Sequence, residues 1–266
     1  MMTTRITSNQ QKQLERFTQD AINRALNDIK PDKDGVQRLI ERGGEFQNYI
    51  VAGISRFTSK LPDYTLARLV LGTDFISADE IATARGLAYT EDQLVELGRK
   101  LPDQATLEAL CDNDMILVAG PPTSMNMRDI RAVHSNFFEP EQDYSAWYNK
   151  TNEKFTRTDR VKALTWIAFL KEPIRDSLNK TWSVQKALVA EPMTILNIAE
   201  TTWVMTTYKA VRDIYLLNEF HVRTSSLGSD GRNVDVGYFG DWGIEIYSKL
   251  DNFRDSSLGI SSGRKF

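Results

Sequence analysis

Two short runs constrain this chain more than anything else in it. Met115–Ala119 reads MILVA and Leu164–Leu170 reads LTWIAFL, both almost wholly apolar. A strand with one wet face alternates polar and apolar residues, so a strand apolar on both faces has to be covered on both. Asp114 and Gly120-Pro121-Pro122 bound the first run as a buried strand. The second is expected to be central in a sheet. Neither can be satisfied without layers packed around it.

The rest of the sequence supplies those layers. From Gln10 to Ile29, Leu14, Phe17, Ala21, Ile22, Ala25, Leu26 and Ile29 recur at helical spacing. Arg16, Asp20, Arg24 and Asp28 alternate in sign at i,i+4 on the same stretch, as a solvated face does. A second helix is expected from about Val36 through Tyr49, Ile50, Ile54 and Phe57, with Gly43-Gly44 as a kink. Ser77 with Glu80 forms a capping box for Ala78–Arg85, and Thr90 caps a helix over Glu91–Lys100. Asp103–Leu110 reads as a further helix, and residues 121–160 as an irregular, aromatic-rich arm.

A long helix over about Met193–Leu217 carries Glu200 as its only charge before Lys209, so most of it must be buried. Glu200 itself is expected on its one exposed stripe; if buried, it needs a partner. The chain then alternates. Phe220, Val222 and Thr224 interleave with His221, Arg223 and Ser225, and Val234 and Val236 with Asp235 and Gly237. Turns at Gly228-Ser229-Asp230-Gly231 and Gly240-Asp241-Trp242-Gly243 make this an antiparallel meander. The fold class is therefore α+β: an N-terminal helical segment, residues 1–62, then an α+β domain, residues 63–266, ending in the meander. Its mostly antiparallel sheet is expected to have about five strands, with helices on one face. Leu258, Ile260 and Phe266 lead us to expect that the C-terminal tail is pinned.

Composition removes several function classes. The charged fraction is 26% with a net charge of −3, which lacks the basic excess of a general nucleic-acid binder. The single cysteine, Cys111, permits no intrachain disulfide and is expected to be a buried or half-buried thiol. With no apolar leader and no run of about 20 apolar residues, the expectation is a soluble cytoplasmic protein without a membrane segment.

Familiar chemistry is absent. Gly259-Ile260-Ser261-Ser262-Gly263 matches a nucleophile elbow, but such a serine needs a helix, an acid and a histidine after it, and neither His134 nor His221 follows. Two histidines and one cysteine do not make a zinc site. Asp112-Asn113-Asp114 opens like a calcium loop but has Leu117 where glycine is required. No phosphate-binding glycine loop occurs, so no cofactor or metal is expected.

The remaining constellation is basic. Lys171, Arg175 and Lys180 follow the central strand, with Trp182 beside them; Arg223 lies on the meander, and Arg264-Lys265 close the sequence. If these converge they form an anion site. The partner would be a polyanion or another protein, and the chain a non-enzymatic binding protein. The alternative is a hydrolase or nuclease of unfamiliar type using a carboxylate near the basic cluster. A deep pocket where a shifted carboxylate or histidine meets Lys or Arg favours the enzyme; a shallow basic surface favours binding.

Five segments, in order, also resemble a large family of uncharacterised proteins abundant in candidate-phyla bacterial genomes. They are TWIAFLKEPIRDSLNKTWSVQ (Thr165–Gln185), SLGISSGRKF (Ser257–Phe266), LVAGPPTSMNMRDIR, AWYNK and FHVRTSSLGSDGRNVDVGYF. The resemblance runs from about residue 66 onward and implies a single unit. Ser261-Ser262-Gly263 departs from the apolar-to-Ala stretch usual before the terminal Arg-Lys. The family carries no assigned function, so the resemblance assigns no catalytic residue.

Overall fold

A computed structural model describes residues 7–44, 46–47, 62–140 and 147–266. Chain contacts separate two units, Met1–Ser59 and Lys60–Phe266. In the first, a helix spans Ser8–Ile29, two residues earlier than its apolar pattern indicates, because Thr7 and Gln10 form a reciprocal capping box. A second helix, Lys33–Glu41, starts where the Asp32 side chain accepts from Gly35 N–H. Tyr49, Ile50, Ile54 and Phe57, expected on its continuation, lie outside the described residues.

The second unit carries ten strands among its described residues: β1 (Phe75–Ile76), β2 (Met115–Ala119), β3 (Met125–Asn126), β4 (Arg160–Val161), β5 (Trp166–Leu170), β6 (His221–Leu227), β7 (Asn233–Gly240), β8 (Gly243–Lys249), β9 (Leu258–Ile260) and β10 (Gly263–Lys265). The class is α+β, with N-terminal helices followed by antiparallel-rich sheets. The strands do not gather in one sheet. They divide between a four-stranded sheet ordered β1-β2-β5-β10, a β3-β4 ribbon and a four-stranded sheet ordered β8-β7-β6-β9.

The first sheet answers the two apolar runs. β5 lies inside it, antiparallel to both β2 and β10, with Ala119 opposite Trp166 and Met115 opposite Leu170. All of β2 and Trp166–Phe169 of β5 are buried. The Trp166 ring stacks on Phe75 at 5.2 Å between centroids, and its Nε1–H donates to the Leu97 carbonyl at 2.9 Å.

A helix over Ile198–Arg212 touches β2 and β5 of this sheet and β6 and β7 of the other. Contact with both explains why eleven consecutive residues, Ile198–Tyr208, are buried. It is shorter than the apolar stretch because Asn197 caps it, while the Thr194 backbone bonds to Gly263 instead. Glu200 is not on an exposed stripe. It is buried, accepts from Asn197 N–H at 2.9 Å and pairs with Lys265 Nζ at 2.9 Å.

The tail joins the two sheets. β9 runs parallel to β6, and β10 pairs with β5 three residues later. The Phe266 and Trp166 backbones exchange hydrogen bonds of 3.0 and 3.2 Å. Ser261 therefore sits in a strand-to-strand link with no helix after it, donating to the Leu170 carbonyl at 3.3 Å. Cys111, expected to be buried or half-buried, is exposed. Its helix, Gln104–Asp112, turns Leu107 and Leu110 into the core, and Cys111 lies about 100° round from Leu110. Among the described residues no helix is long and apolar enough to cross a membrane.

Candidate functional site

The second sheet has two unlike faces, and its register shows which residues share each. Val222, Val236 and Ile246 sit opposite one another and make an apolar row. The rows on either side of it hold Ile260, Arg223, Asp235 and Tyr247, and Leu258, His221, Gly237 and Glu245. Asn233 and Lys249 form a third polar pair. Side chains alternate along a strand, so these last three rows share one face.

That face is buried where it meets solvent in an ordinary meander. Arg223 is 1% exposed and Asp235 is fully buried. The Arg223 Nη1 donates to the Lys180 carbonyl at 3.3 Å and to Gln185 Oε1 at 2.6 Å. Its Nη2 donates to the carbonyls of Leu250 at 3.3 Å and Phe253 at 2.7 Å. One guanidinium thereby fastens residues 180–185 and 250–253 over one end of the face. Beside them opens a pocket of about 170 Å³, lined by His221, Tyr238, Tyr247, Lys249 and Phe253 together with the carboxylates Asp235 and Asp255.

The electrostatics of the pocket follow from this burial. Asp235 has neither carboxylate oxygen hydrogen-bonded, and burial pushes its pKa up to about 7, against the pull of Lys249 and Arg223. Burial drives the His221 pKa down to about 4, with Lys249 adding to the effect, so the imidazole is neutral at pH 7. Its Nε2 stands 3.6 Å from Glu245 Oε2, reaching over Gly237, which has no side chain in the way. A neutral ring at that distance makes neither an ion pair nor a hydrogen bond. Burial also raises Glu245, although Tyr247 donates to it, and raises the Tyr247 phenol to about 12. The Arg223 Nε and Asn233 Oδ1 lack partners too. Four neighbouring residues on one face thus hold buried polar atoms that nothing among the described residues satisfies, which is rare in a folded chain.

Tyr238 marks the same place in the backbone. The β7–β8 register shifts between Gly237 and Gly240, and within that irregularity Tyr238 takes φ 42°. A bulky residue there is strained, and a bulge of this kind re-aims a side chain. Here the ring is brought to 4.7 Å from that of His221, centroid to centroid.

The seven residues expected to form an anion site do not come together as one cluster. Lys180, Trp182 and Arg223 come together around residues 250–253: the Lys180 carbonyl accepts from Arg223, and the Trp182 amide donates to the Asp251 carbonyl at 2.9 Å. Arg264 and Lys265 lie on β10 in the other sheet. Lys171 pairs with Asp74 at 3.0 Å and Asp114 at 2.5 Å, Lys265 with Glu200, and Arg264 covers the Phe266 ring at 4.6 Å. Arg175 is exposed on a short 3-10 turn. Sequence reasoning singled out Arg223 but missed Asp235, Glu245, Tyr247 and Lys249. Their signal was present: Asp235 shares the alternation phase of Gly237, and the turn at residues 228–231 sets both opposite Arg223 and His221.

Among the described residues no three His, Cys, Asp or Glu side chains group to hold a metal ion. No protein-family model, curated protein or solved structure matches the chain.

Proposed function

We propose that the polar face of the meander sheet is a small-ligand site at which Asp235 and His221 exchange protons with a bound molecule, making this chain an acid–base enzyme of unfamiliar type. One observation carries the reading: Asp235 is fully buried beside a pocket with both carboxylate oxygens unpartnered. Burying an unpaired carboxyl costs several kcal/mol, of order 2–7 even for a neutral polar group, and that cost is tolerated where a ligand is to be met. A carboxyl titrating near 7 holds both forms at neutral pH, which suits proton transfer in either direction. His221, neutral beside it, offers a ring nitrogen, Nε2, that has no hydrogen-bond partner.

The size of the pocket narrows what it serves. A cavity of about 150 Å³ takes a benzene ring, so about 170 Å³ suits one ring and not a strand of nucleic acid. The polyanion reading has less support, because Lys171, Arg223 and Lys265 are engaged within the protein.

The test is an NMR screen of ring-sized polar fragments against the whole chain, read at the His221 and Tyr238 resonances. Calorimetry of a hit in buffers of different ionisation enthalpy then counts protons. Proton-linked binding that Asp235→Asn uncouples is the expected result. If no fragment moves those resonances, the reading fails.

A further inference from the structure

We infer that the pocket recognises a single planar nitrogen heterocycle through two adjacent N–H donors on its edge, an amidine-like edge such as an aminopyridine or aminopyrimidine carries, with Asp235 as the reader. The inference rests on the small-ligand reading above and adds the chemistry of the ligand.

The first support is valence. An ionised carboxylate only accepts, and two free oxygens side by side are matched by two parallel N–H groups, as in an arginine–carboxylate pair. Neither oxygen of Asp235 has a hydrogen-bond partner, and its cross-strand neighbour, Arg223, turns its Nη groups away to four carbonyl-type acceptors. A cation alone would be held less well, since Lys249 stands in the same wall.

The second support is the shape and nature of the walls. The His221 ring lies between those of Tyr238 and Tyr247, at 4.7 and 5.4 Å, and Phe253 adds a fourth ring. Flat apolar walls around a ring-sized space favour a flat guest. Lys249 Nζ lies over the Tyr247 and Phe253 rings at 4.8 and 5.1 Å, in the same wall.

The third support is proton balance. When a neutral aminopyridine-type ring enters with Asp235 protonated, the carboxyl proton passes to the ring nitrogen. What remains is a carboxylate facing a ring N–H and an exocyclic N–H, with no proton left over. A sugar hydroxyl offers donors but cannot take that proton.

The experiment compares two rings of equal size on the full-length protein. 2-Aminopyridine presents the donor–donor edge, 2-pyridone a donor–acceptor edge, and glucose serves as the non-aromatic comparison. Wild type should bind 2-aminopyridine about tenfold or more tighter than 2-pyridone, with shifts at His221 and Tyr238. Asp235→Asn, whose amide presents one donor and one acceptor, should reverse that order. The wild-type ranking stands alone if the variant does not fold. Equal or tighter binding of 2-pyridone or glucose at the same resonances overturns the donor-edge inference and leaves the small-ligand reading intact. If none of the three binds while other ring-sized fragments do, the inference also falls; if nothing binds there, both fall.

Discussion

Arg223 and Asp235 stand directly opposite each other on β6 and β7, yet they do not hydrogen-bond. The guanidinium makes four hydrogen bonds to neutral acceptors in two covering segments, and the carboxyl makes none. A buried cross-strand acid and base would ordinarily satisfy each other. Here the base is used to fasten the two covering segments, and the acid is left without a hydrogen-bond partner.

The first prediction concerns Asp235 and pH. Its folded pKa, about 7, lies above its ordinary 3.8, so the folded state holds the proton more tightly. The stability this gives is present below about pH 4 and is lost as pH rises through 7. Arg223, Lys249 and Glu245 are the charges facing it, and Asp235→Asn keeps them while removing the ionisation. Urea unfolding should therefore show the variant gaining on wild type from about pH 5 to about pH 8, by roughly 2–3 kcal/mol. His221 acts in the opposite sense, contributing above its ordinary 6.5 and losing that contribution as pH falls through about 4, but it is common to both proteins. A pH-independent difference would rule out a raised Asp235.

Arg223→Met should loosen residues 250–253 and the pocket wall they supply. Four hydrogen bonds from a buried cation are lost together, so a destabilisation of about 2–4 kcal/mol is expected. Hydrogen exchange should accelerate at Leu250–Phe253 before it does in β2 and β5. Unchanged exchange in that segment would contradict the fastening role.

Trp166→Ala removes the largest ring of the first sheet and the bond from its indole to Leu97. The expected cost is about 3–5 kcal/mol in urea unfolding. A loss under about 1 kcal/mol would mean that β5 is not packed on both faces.

Removing Ser257–Phe266 deletes β9 and β10 and so one strand from each four-stranded sheet. The melting temperature should fall by several degrees and hydrophobic dye binding should rise. Lys265→Met alone, leaving Glu200 buried with its capping bond, should cost about 1–3 kcal/mol. A truncated chain that melts like the intact one would show the tail to be unimportant.

What the sequence showed of this fold depended on range. The doubly apolar runs of β2 and β5 announced a covered sheet with β5 inside it, because a residue's need for cover is local. The spacing of Leu258 and Ile260 likewise announced a fixed tail. The division into two sheets was not visible, since it depends on the tail crossing from β6 to β5 within a few residues. Glu200 was misplaced because its partner Lys265 lies 65 residues away, and Lys171 looked free because Asp74 lies 97 residues before it. Half of the site was legible as the phase of His221, Arg223 and Asp235. The other half was not, because only the cover from residues 180–185 and 250–253 turns a polar strand face into a buried one.

The most direct test is to titrate Asp235 itself. With the carboxyl carbons labelled, and Asp235→Asn assigning the signal, its ¹³C resonance should move with a midpoint near 7. That midpoint should shift when 2-aminopyridine is added. A midpoint in the ordinary carboxylate range near 4, unmoved by any ring-sized ligand, would contradict the acid–base site.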